Sequence, residues 1–204
     1  MKKTTAAVLC ACFLAACFGG LRNEAAAPIA YRISAPRLAA GPPVAADLLV
    51  TVEATAPGLD GSDIAGRWPG SRIDYLAGAR WPVRTPTLVE SALIEALQDS
   101  GRLRSVQGDF GRFRSTHSIA LEVRRFEADY TGGTPPVAQV ALAVTVGRHS
   151  DRQVLAAFSV VAEEQAAENR VSSVVTALDA AFGRAAAEVA ATSLEVISRD
   201  LAQP

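Results

Sequence analysis

Lysine is almost missing from this chain: the two present, Lys2 and Lys3, stand at the extreme N-terminus, and cysteine, histidine and methionine number three, two and one in 204 residues. Each scarcity excludes something. His117 and His149 have no further ligands at short spacing, so no zinc site is expected, and the twelve-residue calcium-loop pattern is absent. Neither a Gly-x-Ser-x-Gly elbow nor a Gly-x-x-x-x-Gly-Lys phosphate loop occurs. The chain is therefore read as non-enzymatic and without a cofactor. A net charge of −1 and a pI near 6.1 exclude a nucleic-acid footprint, because acidic residues balance the arginine pairs Arg102/Arg104, Arg112/Arg114 and Arg124/Arg125.

What is present begins with Leu14-Ala15-Ala16-Cys17. Met1-Lys2-Lys3 supplies a positive start and Ala6 to Leu14 an apolar stretch of secretory length, too short to span a bilayer. The segment reads as a bacterial lipobox, with a signal peptide over residues 1–16 and a mature protein starting at Cys17, which carries an S-diacylglycerol and an N-acyl chain such as palmitate. Each buried methylene contributes about 0.8 kcal/mol, so one chain binds reversibly while three hold essentially permanently. Cys10 and Cys12 leave with the signal and Cys17 is consumed by lipid, so no disulfide is expected. Phe18 rather than aspartate follows the cysteine, which by the enteric sorting rule places the anchor on the periplasmic face of the outer membrane. Loss of the leader leaves 18 arginines against 21 acidic residues, a net charge of −3.

The mature chain is long enough to bury roughly 70% of its unfolded surface in one domain without covalent staples. Residues 17–43 carry four prolines and read as a lipidated tether, with Tyr31-Arg32-Ile33 as a short extended piece; residues 44–204 read as the folded domain. Leu48 to Val52 is β-branched and apolar up to the turn signal Ala56-Pro57-Gly58, and short strands follow near Ile64 to Trp68 and Ser71 to Leu76. Thr85-Pro86-Thr87-Leu88-Val89-Glu90 opens a helix, with a Thr87/Glu90 capping-box spacing and an apolar stripe through Leu97. Leu103 to Val106 is a strand. His117–Glu127 and Val137–Gly147 alternate apolar with polar or small residues, and with Arg152–Glu163 they read as an antiparallel meander. A long amphipathic helix covers about Asn169 to Leu201. The expected fold is α+β: a two-layer sandwich with a mixed, largely antiparallel sheet of five or six strands and two helices on one face.

The segment Arg72-Ile73-Asp74-Tyr75-Leu76-Ala77-Gly78-Ala79-Arg80-Trp81-Pro82, then a helix, then Leu97-Gln98-Asp99-Ser100-Gly101-Arg102-Leu103, resembles the ABC-type transport auxiliary lipoprotein family, of which the PqiC-like proteins are members. The resemblance extends over nearly all of residues 31 to 201, and the lipobox agrees with it. It implies a non-catalytic periplasmic lipoprotein serving an MCE-type ABC transport system that moves phospholipid or other hydrophobic molecules between inner and outer membranes. The implied partners are an MCE-domain substrate-binding protein, an ABC permease and an ATPase, together with the membrane through the anchor; a homo-oligomeric ring is compatible with it. Tyr75 and Trp81 are candidate partner contacts, since aromatic residues are enriched at hot spots, although both residue types more often pack a strand–helix joint. Two other readings are an envelope assembly or activator lipoprotein for an outer-membrane channel or cell-wall synthase, and a direct lipid carrier.

Overall fold

A computed structural model describes residues 27–109, 111 and 113–203; the lipobox and Cys17 lie outside them. The elements run β1 (Ile29–Ala30), β2 (Val44–Thr55), β3 (Asp63–Trp68), β4 (Arg72–Arg80), α1 (Thr85–Asp99), β5 (Leu103–Gln107), β6 (His117–Asp129), β7 (Val137–Arg148), β8 (Gln153–Gln165) and α2 (Val171–Leu201).

Strands β6, β7 and β8 form the expected antiparallel meander, paired over almost their full length. The opposite edge of β6 is shared. Strand β2 lies parallel along His117–Val123, and β3, the next strand in the chain, lies parallel along Glu127–Asp129. Outside β2 runs β5, parallel; outside β3 runs β4, antiparallel; outside β4 runs β1, parallel. The sheet therefore has eight strands among the described residues, where the sequence suggests five or six. Parallel neighbours make up four of its seven pairings, although the longest ladders are the antiparallel ones. The added strands are short, β1 with two residues and β3 with six, and each is held by the strands beside it.

One face of the sheet is apolar and covered. Val44, Ala46, Leu48 and Val50 on β2, Ile119, Leu121 and Val123 on β6, and Val140, Leu142, Val144 and Val146 on β7 are all buried, as a period of two requires. Helix α1 crosses β2 and β5, α2 lies over β6, β7 and β8, and the two helices touch. Both cover the same face, as expected. Helix α2, with 31 residues and a length of about 46 Å, buries Val174, Leu178, Phe182, Ala185, Val189 and Ile197 on one stripe. Its alanines let the backbone sit close to the sheet. Phe126 anchors the core, meeting Trp81 edge-on at 5.6 Å between ring centroids and Phe182 at 6.1 Å.

Helix α1 starts earlier than the capping-box spacing implies. Its N-cap is Arg84, with no side-chain cap, and Thr87 and Glu90 lie inside the helix. The first turn is held instead by the loop before β3, where Gly61 O accepts from Thr85 N at 2.8 Å and from Thr85 Oγ1 at 3.2 Å.

The expected tether also narrows. From Ile29 onward the chain belongs to the body: β1 pairs with β4, Tyr31 N donates to Arg80 O at 2.8 Å, Ser34 N donates to Asp179 on α2, and Ile33 is buried in the core. Proline richness there marks extended chain lying on a surface rather than free chain, because proline cannot donate to a ladder yet packs well beside one.

Candidate functional site

The two aromatic candidates separate. Trp81 is 1% exposed, wedged between β4 and α1 with its backbone N–H on Ser62 O at 2.7 Å. It presents no surface to a partner, so of the pair only Tyr75 remains a candidate contact. Tyr75 is 45% exposed, and its hydroxyl donates to Gly58 O at 3.1 Å. Ile73, two residues earlier on the same face of β4, is 43% exposed. Gly58, at φ +85°, lies against both side chains and closes a turn that a Cβ would strain.

On the face of the sheet that carries no helix, Ala120, Ala143, Thr145 and Ala157 floor a shallow depression of about 420 Å³ that Glu53, Glu122, Arg124 and Phe158 also line. Toward the β6–β7 turn that face becomes charged. Arg67 pairs with Glu127 at 3.4 Å and with Asp129, Arg125 Nη1 donates to Gln139 Oε1 at 3.1 Å, and Gln139 Nε2 donates to Glu163 Oε1 at 3.0 Å. Burial pushes the Glu127 carboxyl above its ordinary range, against the pull of Arg67 and Arg125. Burial acts on Asp129 in the same direction but is outweighed by the Thr131 hydroxyl and N–H, at 2.7 and 2.8 Å, and by Arg67, which hold it low.

At the other end of the sheet lies the densest polar cluster. His117, 2% exposed, places Nε2 at 3.1 Å from Asp200 Oδ2 and Nδ1 at 2.9 Å from Thr116 Oγ1. A proton on Nε2 lets the ring donate to Asp200. Arg148 Nη1 donates to the second Asp200 oxygen at 2.6 Å, and the same guanidinium grips Asp151. Its grip holds the Asp151 carboxyl down to about 2. Nearby, Ser115 Oγ is 2.7 Å from His149 Nδ1. A cleft of about 800 Å³ opens over this cluster, walled by Phe113, Arg114, His149 and Leu201.

Chemically the cluster is a clasp. The serine faces one imidazole and the carboxylate faces the other, so no hydroxyl, ring and acid line up for nucleophilic attack through His149. The hydroxyl beside His117 belongs to Thr116, which also bonds the Asp47 backbone at 3.1 and 3.2 Å. These contacts fasten the C-terminus of α2 to the starts of β2 and β6 and the end of β7. Sequence reasoning missed this arrangement because its partners lie 83 and 52 residues apart.

Among the described residues no group of three or more His, Cys, Asp or Glu side chains is placed to hold a metal ion, and no helix is long and apolar enough to cross a membrane.

The profile described as ABC-type transport auxiliary lipoprotein component matches residues 31–190. No curated protein matches the chain. Among solved structures, it is similar to a protein of family DUF330 from Xanthomonas campestris, with 24% identity and a TM-score of 0.79 over 86% of this chain and 100% of that one. It is also similar to an uncharacterized protein at 15% identity and a TM-score of 0.58, over 81% of this chain and 99% of that one. At these identities the likeness is one of fold.

Proposed function

The chain belongs to the ABC-type transport auxiliary lipoprotein family, and from that membership we propose that it is the lipid-anchored docking subunit of an MCE-type transport system moving phospholipid or another hydrophobic molecule across the periplasm. The observation that carries this reading is the family match over residues 31–190 behind a lipobox cysteine at position 17. In it, Cys17 fixes the protein to the periplasmic face of the outer membrane, and the folded body presents the surface that meets the MCE protein, with the permease and ATPase supplying the energy.

The packing favours docking over carriage. The space between sheet and helices is filled by Trp81, Phe126, Leu178 and Phe182, each at or below 1% exposure. A lipid chain entering there would have to displace close-packed side chains. The function proposed is therefore recognition between proteins, with Tyr75 a candidate contact.

Affinity purification of the full-length lipoprotein from crosslinked envelopes, beside a Cys17→Ala control, tests it. Recovery of an MCE protein with its permease and ATPase, weakened in the control, is the expected result. Recovery of a cell-wall synthase or an outer-membrane channel without those subunits overturns it, and recovery of the protein alone with bound phospholipid moves the function to carriage.

A further inference from the structure

We propose that the end of the sheet formed by the β3–β4 and β6–β7 turns faces the bilayer, with Trp68, Arg72, Ile73 and Tyr130 at headgroup depth. The proposal rests on lipidation at Cys17, argued above, and adds to it the orientation of the body.

The first argument is topological. Strand β1 is parallel to β4, with Ile29 level with Ala79 and Ala30 level with Arg80. The chain therefore reaches Ile29 from the side on which β4 begins, which is the side of the Pro69-Gly70-Ser71 turn. Strand β3 is parallel to β6, with Arg67 level with Asp129, so the β6–β7 turn after Tyr130 lies at that same end. The His117, Arg148 and Asp200 clasp and its cleft lie at the opposite end.

The second argument is length. Cys17 and Ile29 stand twelve positions apart, so the chain between them can reach no further than about 40 Å. Strand β4 is bulged between Tyr75 and Arg80, so its run from Arg72 to Arg80 lies against only Trp68 to Asp63 of β3, and Arg72 stands about 17 Å below the level of Ala30. An anchor at Cys17 is thus within reach of a membrane that touches the turn, and in that orientation β6, about 43 Å long over its 13 residues, holds the clasp end well clear of it.

The third argument is chemical. Trp68 and Tyr130, both partly exposed, stack at 4.6 Å with planes 5° apart, and the Arg72 guanidinium lies 5.5 Å over the indole. Arg72 makes no ion pair among the described residues, and Ile73 beside it is 43% exposed. Amphipathic rings with a cation whose stem covers apolar surface and whose head reaches polar groups suit the lipid headgroup layer. The clasp end carries exposed Phe113 and Leu201 as well as His149, Arg114 and Ser150, but among the described residues no stacked aromatic pair with a cation over it is found there; this orientation turns that cleft toward the periplasm.

The test uses the lipidated full-length protein in phosphatidylethanolamine/phosphatidylglycerol vesicles carrying a headgroup-level nitroxide lipid. The chain has two tryptophans, and the buried Trp81 serves as an internal reference. Loss of emission in the labelled vesicles, abolished in Trp68→Phe, is expected; equal emission with and without label overturns the orientation. A second measurement places a polarity-sensitive dye at Thr131→Cys or Ser150→Cys, both exposed turn positions. A blue shift on vesicle binding at 131 alone supports the proposal, and one at 150 alone or at neither overturns it. Protein that lacks the lipid mass and fails to float with vesicles overturns anchoring and orientation together, whereas protein that floats with Trp68 unquenched overturns orientation only.

Discussion

Asp200 accepts from His117 and Arg148 with one oxygen each while its side chain is only 7% exposed. Removing it leaves a buried imidazole and a guanidinium without their shared acceptor, and breaking such a pair is costlier than the pair's net worth. Asp200→Ala is expected to lower unfolding free energy by about 3 kcal/mol, the low end for a broken buried pair because Arg148 keeps Asp151 and some solvent; urea denaturation measures it. Asp151 gives a pH signature. Its carboxyl is held at about 2 rather than 3.8, chiefly by the Arg148 hydrogen bond, so the stabilisation it provides is complete above the ordinary value and is lost as pH falls through about 2. The gap in melting temperature between wild type and Asp151→Asn should therefore narrow from pH 5 to pH 2, and a constant gap would contradict the assignment. Gly66 is a third such residue: a Cβ there would meet the Trp68 ring at 2.5 Å. Gly66→Ala should push the indole off Tyr130 and red-shift its emission. None of these contacts is legible in the sequence. A histidine and an aspartate 83 residues apart have no spacing to read, and the role of Gly66 depends on a strand partner that only the fold supplies.

The elements themselves were far more legible. Alternation over β6 and β7 and the 3.6-residue stripes of both helices locate these segments to within a few residues of their observed ends, because each is long enough to carry a full period and buries one face. Pairing partners were not legible. The parallel contacts of β2 and β3 with β6 join segments far apart in the chain, whereas the long β6–β7 and β7–β8 ladders, which make the mixed sheet largely antiparallel by paired length, follow from turn signals. The stretch from Ile29 to Pro43 reads as tether because proline and alanine lack periodicity, yet it is pinned by the Tyr31 N–H on Arg80 O, by the Ser34 N–H on Asp179 and by the Arg102 guanidinium on Pro42 O. Helix α2 holds the layers together through Phe182, which is fully buried against Phe126. Phe182→Ala should cost about 3–5 kcal/mol in the same denaturation experiment, as large-to-small changes in a tight core do.

At the scale of the molecule, anchoring and folding are separable. The core formed by the described residues runs from Ile33 to Ile197, so under the proposed anchoring Cys17→Ala should move the protein from the membrane to the soluble fraction with an unchanged denaturation midpoint; a lowered midpoint would mean that residues near the anchor contribute to the fold. What the sequence conveyed at this scale was the lipobox and the ordered series of motifs that resembles the family. What it could not convey was which end of the sheet meets the lipid, since that depends on the direction in which β1 joins β4.

The shared edge of β6 also sets the order in which the protein can be completed. Strands β2 and β3 both wait for a neighbour that begins at His117, and the apolar face they form with β5 is not fully roofed until α2 at Val171–Leu201 is in place. A chain delivered N-terminus first thus has more than half its length out before its central strand exists. Such non-local pairing is slow, and its unpaired edges are open to aggregation meanwhile. The unfinished sheet is therefore at its most aggregation-prone until the last helix arrives.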